Sequence, residues 1–151
     1  MPSFSVVHRP VNHHDYLAFI NDLVASGGDA AARVPRLHDR DADRWAPLYL
    51  PQRDGRFGLE AEVCGVHIEA AAPVVGISGE DGLAYCRWLG RQTGLPWRPL
   101  GELEWEKAAR GVDARKFPWG DEADPAFHCM QDSALPHPGP PAPGAYPVDL
   151  S

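Results

Sequence analysis

No Cys-x-x-Cys pair occurs in this sequence, and its three cysteines, Cys64, Cys86 and Cys129, are widely spaced and odd in number. That argues against a disulfide framework or a zinc ribbon and leaves reduced thiols behaving as small buried hydrophobes. Cationic side chains are also few, 14 Lys and Arg against 21 Asp and Glu, for a formal charge of -7. Such a chain lacks the excess that phosphate-backbone binding needs, so no nucleic-acid partner is expected. No apolar run approaches the roughly 20 residues of a membrane helix. Met1-Pro2-Ser3-Phe4 has neither the basic region nor the apolar stretch of a signal peptide. The reading is a cytoplasmic protein with no membrane partner. Gly-x-Gly-x-x-Gly, phosphate-loop and Gly-x-Ser-x-Gly motifs are missing too, which removes the commonest nucleotide and hydrolase signatures.

What is present is an ordinary globular composition. The 151 residues, 44% hydrophobic and 23% charged, fit one domain. Glycine (15) and proline (16) punctuate the chain and isolate three helical stretches. The first runs from His13 to Ser26, with Asn12 placed to cap it and Gly27-Gly28 to stop it. Tyr16, Phe19, Ile20, Leu23 and Val24 recur along it at helical spacing. The second runs from about Gly79 to Gln92. Ser78 and Asp81 have capping-box spacing at its start, and Leu83, Cys86 and Leu89 or Gly90 form its expected buried stripe. The third covers Glu102 to Arg110, with glutamates 102, 104 and 106 in the turns that the helix dipole favours.

Val74 to Ile77 and Phe4 to Val7 read as short strands. From Val34 to Gly65 no period is sustained, and a long, solvated, mobile surface excursion is expected there. Pro136 to Pro147 holds six prolines and reads as a rigid extended loop.

Most residues that could carry chemistry have a plainer account. His13 and His14 are adjacent at a helix start and point to different faces, so they read as solvent-facing rather than as a shared metal site. His128-Cys129 could form a reactive thiolate pair, but no second pair stands at ligand spacing. Glu102 and Glu106 share a helix face while Glu104 does not, and helix-start electrostatics accounts for all three. No catalytic, cofactor-binding or metal-ligating residue is assigned.

One concatenation is more particular. Pro73-Val-Val-Gly-Ile-Ser78 leads into Gly79-Glu-Asp-Gly-Leu-Ala-Tyr-Cys-Arg-Trp-Leu89. Then come Thr93-Gly-Leu-Pro-Trp-Arg98, Glu102-Leu-Glu-Trp-Glu-Lys-Ala-Ala-Arg-Gly111 and Lys116-Phe-Pro-Trp-Gly-Asp121. In these residues and their order the chain closely resembles the formylglycine-generating enzyme, or sulfatase-modifying factor, family. Its flavour is nearest to copies attached to bacterial serine/threonine kinases, on the strength of Cys129-Met-Gln-Asp-Ser133. The resemblance implies an α+β fold, the family's elaboration of the C-type lectin-like fold. It implies one partial domain over 1–151, with a variable insertion at 34–72 and a Pro-rich loop at 136–147. Structural roles fall to Trp88, Arg98, Glu104, Trp105, Glu106, Arg110, Trp119, Gly120 and Asp121. Trp88, Trp97, Trp105 and Trp119 would anchor loops, and Arg98, Glu104 and Arg110 would form an ion-pair network.

The departures bear on activity. The family's Arg-Leu-Pro-Thr-Glu turn reads Arg98-Pro-Leu-Gly-Glu102, which puts Gly101 at the helix cap. In active relatives paired cysteines in a second half of the domain hold copper. The resemblance matches none of Cys64, Cys86 and Cys129 to them, and it implies that the chain stops before that half and is of marginal stability alone. The family's structural calcium loop falls near Phe127 to Ser133, where Cys129 replaces an oxygen ligand and leaves Asp132 as a weak site. No cofactor is therefore expected in this chain. The implied function is a non-catalytic recognition or accessory domain for a protein, a peptide or an attached kinase domain. The alternatives are the amino-terminal part of a copper-dependent oxidase that converts a sulfatase cysteine to formylglycine, and the related domain of an iron-dependent sulfoxide synthase.

Overall fold

A computed structural model of the chain describes residues 3–111, 115–117 and 119–122. Among the described residues the architecture is α+β: three helices, one short 3-10 turn at Ala31–Arg33 and three small antiparallel ladders. Cys129, Phe127 to Ser133 and the Pro-rich stretch 136–147 lie outside the described residues.

Helix α1 spans His13–Ala25. The N–H groups of its first three residues, which no helical carbonyl can satisfy, all find acceptors. The Asn12 side chain accepts from the Asp15 N–H at 2.8 Å, and the Asn12 carbonyl takes the first regular helical bond, from Tyr16. The other two are met from the segment before α2, by Ala72 O for His13 and Ala70 O for His14. At the far end Gly27 adopts a left-handed φ of 72°. The Gly27 and Gly28 N–H groups bond back to Val24 O and Leu23 O, a Schellman stop.

Helix α2 spans Gly79–Thr93, with the expected reciprocal Ser78/Asp81 capping box and a left-handed Gly94 at its end. Its buried face keeps the expected Leu89 but otherwise differs from expectation. Leu83 is 45% exposed, whereas Tyr85 is buried, with Ala84, Trp88 and Leu89 packed against the core. The face is set by rings. Tyr85 stacks on Tyr16 at 5.7 Å and meets Phe19 edge-on, and Trp88 sits 5.6 Å from Phe19 and donates its indole N–H to Asp22. Matching this aromatic cluster on α1 outweighs burying one more leucine.

The region from Val34 to Gly65 is not a solvated excursion. It holds β1 (Arg36–Asp39) paired with β2 (Arg44–Pro47), β3 (Tyr49–Pro51) paired with β4 (Phe57–Leu59), and β5 (Glu62–Val63), whose partner β6 (Val66–His67) follows directly after it. It also supplies much of the core, namely Val34, Ala46, Leu48, Tyr49 and Val63, with Ile68 and Ala72 just beyond. Leu48 is fully buried between the first two hairpins, its N–H on Pro35 O and its carbonyl taking Glu60 N–H. Asn21 on α1 acts as a surrogate strand for β4, accepting from Phe57 N–H at 2.7 Å and donating to Phe57 O at 3.1 Å.

Neither expected short strand forms a ladder. Val74 to Ile77 is a connector, stitched by Val74 N–H to Val11 O and by Arg36 N–H to Gly76 O. Pro73 removes a donor, and Gly76, at a φ of 72°, breaks the extended run. Phe4 to Val7 has no strand partner among the described residues, and its first three residues line a groove instead. The histidines divide: His14 is exposed as expected, but His13 is buried.

Candidate functional site

The residues singled out in the sequence fall on three parts of the fold. Trp88 belongs to the α1–α2 seam, where it locks the two helices together. The second group surrounds α3, the helix Glu102–Arg110. Glycine at its cap offers no side-chain acceptor, so half of a capping box remains: the Glu104 carboxylate accepts the Gly101 N–H at 2.9 Å. The same carboxylate receives both arms of the Arg98 guanidinium at 2.6 Å, a fork-on-fork pair.

The Arg98 hydrogen bonds, with the Gly101 N–H second, pull the Glu104 pKa down from 4.5 to about 2, and Arg98 is raised in turn. A depressed carboxylate lends stability that is present above its ordinary pKa. That contribution is lost as pH falls from 4.5 toward about 2. Replacing Arg98 with alanine is expected to move the Glu104 titration back toward 4.5 and to flatten the acid limb of stability. Carbon-detected NMR of the carboxylate and melts between about pH 5 and about pH 2.5 measure the two effects.

Arg110 does not join this pair. It reaches Glu106 one turn back on α3 and donates its Nε–H to Arg115 O, while Arg115 Nε–H returns to Arg110 O. The expected single network is therefore two separate devices: one at the start of α3, the other tying its end to the segment that follows. Trp105 is not an anchor either. It is 65% exposed, and the neighbouring Leu103 is 68% exposed. On α3, Glu104 and Glu106 are half-buried while the odd positions 103, 105 and 107 face outward.

The third part follows α3. Phe117 and Gly120 exchange backbone hydrogen bonds at 2.8 and 3.1 Å, closing a tight turn. Trp119 stacks parallel on Phe117 at 5.3 Å and donates to Glu122 O, and Asp121 accepts from Lys116 N–H. These residues hold one another in the turn.

Beside Arg98 lies a groove of about 460 Å³, lined by Phe4, Ser5 and Val6 on one side and by Leu95 to Arg98 with Leu100 on the other. Trp97 is fixed there by its indole N–H on Thr93 Oγ1 at 2.7 Å. Sequence reasoning missed the groove because Phe4 to Val7 read as a strand. The apolar spacing of Leu95, Trp97 and Leu100 was the available signal.

The described cysteines do not suit a thiolate-bound copper. Cys64 occupies the two-residue turn of the third hairpin, exposed and at a φ of 53°. Cys86 is half-buried in α2. Local desolvation and the Asp39 carboxylate push the Cys64 thiol up, and burial pushes Cys86 up, so both stay protonated at neutral pH. Among the described residues no group of three or more His, Cys, Asp or Glu is placed to hold a metal ion. No helix among them is long and apolar enough to cross a membrane.

A family profile described as the sulfatase-modifying factor enzyme 1-like domain matches residues 1–136. An uncharacterized protein of Bacillus subtilis, YfmG, is 48% identical over 129 residues, covering 83% of this chain and 21% of its own length. The formylglycine-generating enzyme of Mycobacterium tuberculosis is 36% identical over 77 residues, 51% of this chain and 23% of that enzyme. Mouse inactive C-alpha-formylglycine-generating enzyme 2 is 42% identical over 62 residues, 40% of this chain and 18% of that protein. The chain thus spans about a fifth of the length of these relatives. With the motif residues laid out along α2, α3 and the Phe117 turn in the order the resemblance required, the chain belongs to the sulfatase-modifying factor enzyme 1-like domain family.

Proposed function

We propose that this chain is a formylglycine-generating-enzyme-like domain acting in the cytoplasm as a non-catalytic recognition or accessory element for a protein or peptide, of the C-type lectin-like kind. The observation that carries the reading is the placement of the two described cysteines on separate elements. Copper held for oxygen chemistry needs soft thiolates converging on one ion. Cys64 and Cys86 stand on a hairpin turn and a helix, and both are held as thiols. The motif residues meanwhile spend their polar groups on one another, as in the Arg98–Glu104 clamp. A relative bearing the word inactive in its name, at 42% identity, agrees with such a role.

The test supplies copper and a cysteine-containing sulfatase peptide to the full chain. No loss of peptide thiol and no aldehyde captured by a hydrazide are expected. Aldehyde formation would instead favour the second reading, a part of a copper-dependent oxidase, toward which the 36% identity to the mycobacterial enzyme points.

A further inference from the structure

His13 is the one charged or strongly polar side chain buried in the core among the described residues, at 1% exposure. It sits at the first position of α1, and its own N–H and that of His14 are held by Ala72 O at 3.1 Å and Ala70 O at 3.0 Å. These two bonds form the seam between the start of α1 and the 69–74 segment that leads into α2. The ring meets one hydrogen-bonding partner, the Tyr49 hydroxyl, 3.0 Å from Nδ1 and 3.3 Å from the His13 carbonyl.

Tyr49 has a single proton to give. If His13 carries its hydrogen on Nδ1, Nδ1–H donates to the hydroxyl and the hydroxyl donates to the carbonyl, so both hydrogens are used. Nε2 is then left as an acceptor without a partner among the described residues, which is cheaper than an orphaned donor. A second proton can land only on Nε2. There it creates a buried N–H with nothing among the described residues to accept it, on a cation at the positive end of a helix.

We propose that His13 is a proton-operated latch, neutral when the seam is closed and opening it when the imidazole is charged. The surroundings offer a cation no relief. Tyr49 on β3 and Tyr16 on α1 are both held protonated by burial. Asp15 is engaged with Arg9 at 3.0 Å, His14 is 80% exposed, and Glu69 on the packed segment is exposed. Burial accordingly lowers the His13 pKa below 6.5. The unfolded or opened chain takes up the proton at its ordinary pKa while the closed form refuses it. The closed form is thus fully favoured above 6.5 and loses ground as pH falls below it, by up to about tenfold per pH unit.

Hydrogen exchange of the full chain between about pH 7.5 and about pH 5.5, corrected for intrinsic rates, reads this directly. Protection of the His13 and His14 amides is expected to fall by up to about tenfold per pH unit below 6.5, while amides in the middle of α2 keep theirs. In His13→Asn, whose amide can still donate to Tyr49, that pH dependence is expected to vanish. Equal slopes in the two proteins, or a parallel loss across all amides, would overturn the latch. So would a His13 imidazole titrating at or above 6.5 in the folded wild type by NMR, a measurement that decides the matter even if the variant does not fold.

Discussion

Gly76→Ala is expected to destabilise the domain by about 4 kcal/mol, a large part of the roughly 5–15 kcal/mol that holds a domain together. Two independent effects add at this position. Gly76 has a φ of 72°, where an L-residue with a Cβ costs about 1–2 kcal/mol. The added carbon would also lie 2.2 Å from the Arg36 carbonyl oxygen and 2.9 Å from its carbonyl carbon. Those are backbone atoms that no rotamer change can move aside. Relieving the clash displaces either the connector or β1, and with it the Arg36 N–H to Gly76 O bond at 2.9 Å. Overpacking of that kind costs about 1–3 kcal/mol and the lost bond about 1 more. Gly55→Ala is the control: its φ is 81°, but nothing lies within 4 Å of the new carbon. The control is expected to lose only the conformational share, about 1–2 kcal/mol. Urea melts of the two variants against wild type separate the contributions, and equal losses at Gly55 and Gly76 would show that the close approach to Arg36 costs nothing.

That contact also explains what the sequence concealed. The helices were legible because their punctuation is local: Asn12 with Asp15, Ser78 with Asp81, Gly27 and Gly94 at the stops. Each is a short-range hydrogen bond or a left-handed glycine, and the chain writes it within four residues. The ladders were not legible, because strands of two to four residues cannot display a period. What holds them is tertiary: Leu48 bridging two hairpins, Asn21 standing in for a strand beside Phe57, Gly76 pressed against Arg36. Trp105 failed as an anchor for a related reason. A tryptophan in a motif says that a ring is present, not which side of the helix meets the core. The Arg98–Glu104 clamp, by contrast, needs only six residues of chain; the resemblance implied the two within one network with Arg110, which pairs instead with Glu106.

The second large effect concerns the aromatic seam, whose energetics follow from ring geometry rather than from polar contacts. Phe19 is 1% exposed and lies 5.3 Å from Tyr16, 5.8 Å from Tyr85 and 5.6 Å from Trp88. Phe19→Ala is expected to cost about 3–5 kcal/mol, from lost transfer energy and from a cavity that three rigid rings cannot collapse to fill. Phe19→Leu restores most of the volume but none of the edge-to-face geometry. It is expected to recover all but about 1–2 kcal/mol, the worth of the ring pairs beyond their area. Since Trp88 is fixed by Phe19 and by its bond to Asp22, loosening the seam should also red-shift and broaden Trp88 emission, read against a Trp88→Phe background. A Phe19→Ala variant that melts within about 1 kcal/mol of wild type would mean that α2 is held in place by the Arg33–Asp81 ion pair at 2.8 Å, which ties it to the 3-10 turn, rather than by its rings on α1. The half-exposed position of that pair makes it the weaker of the two fastenings.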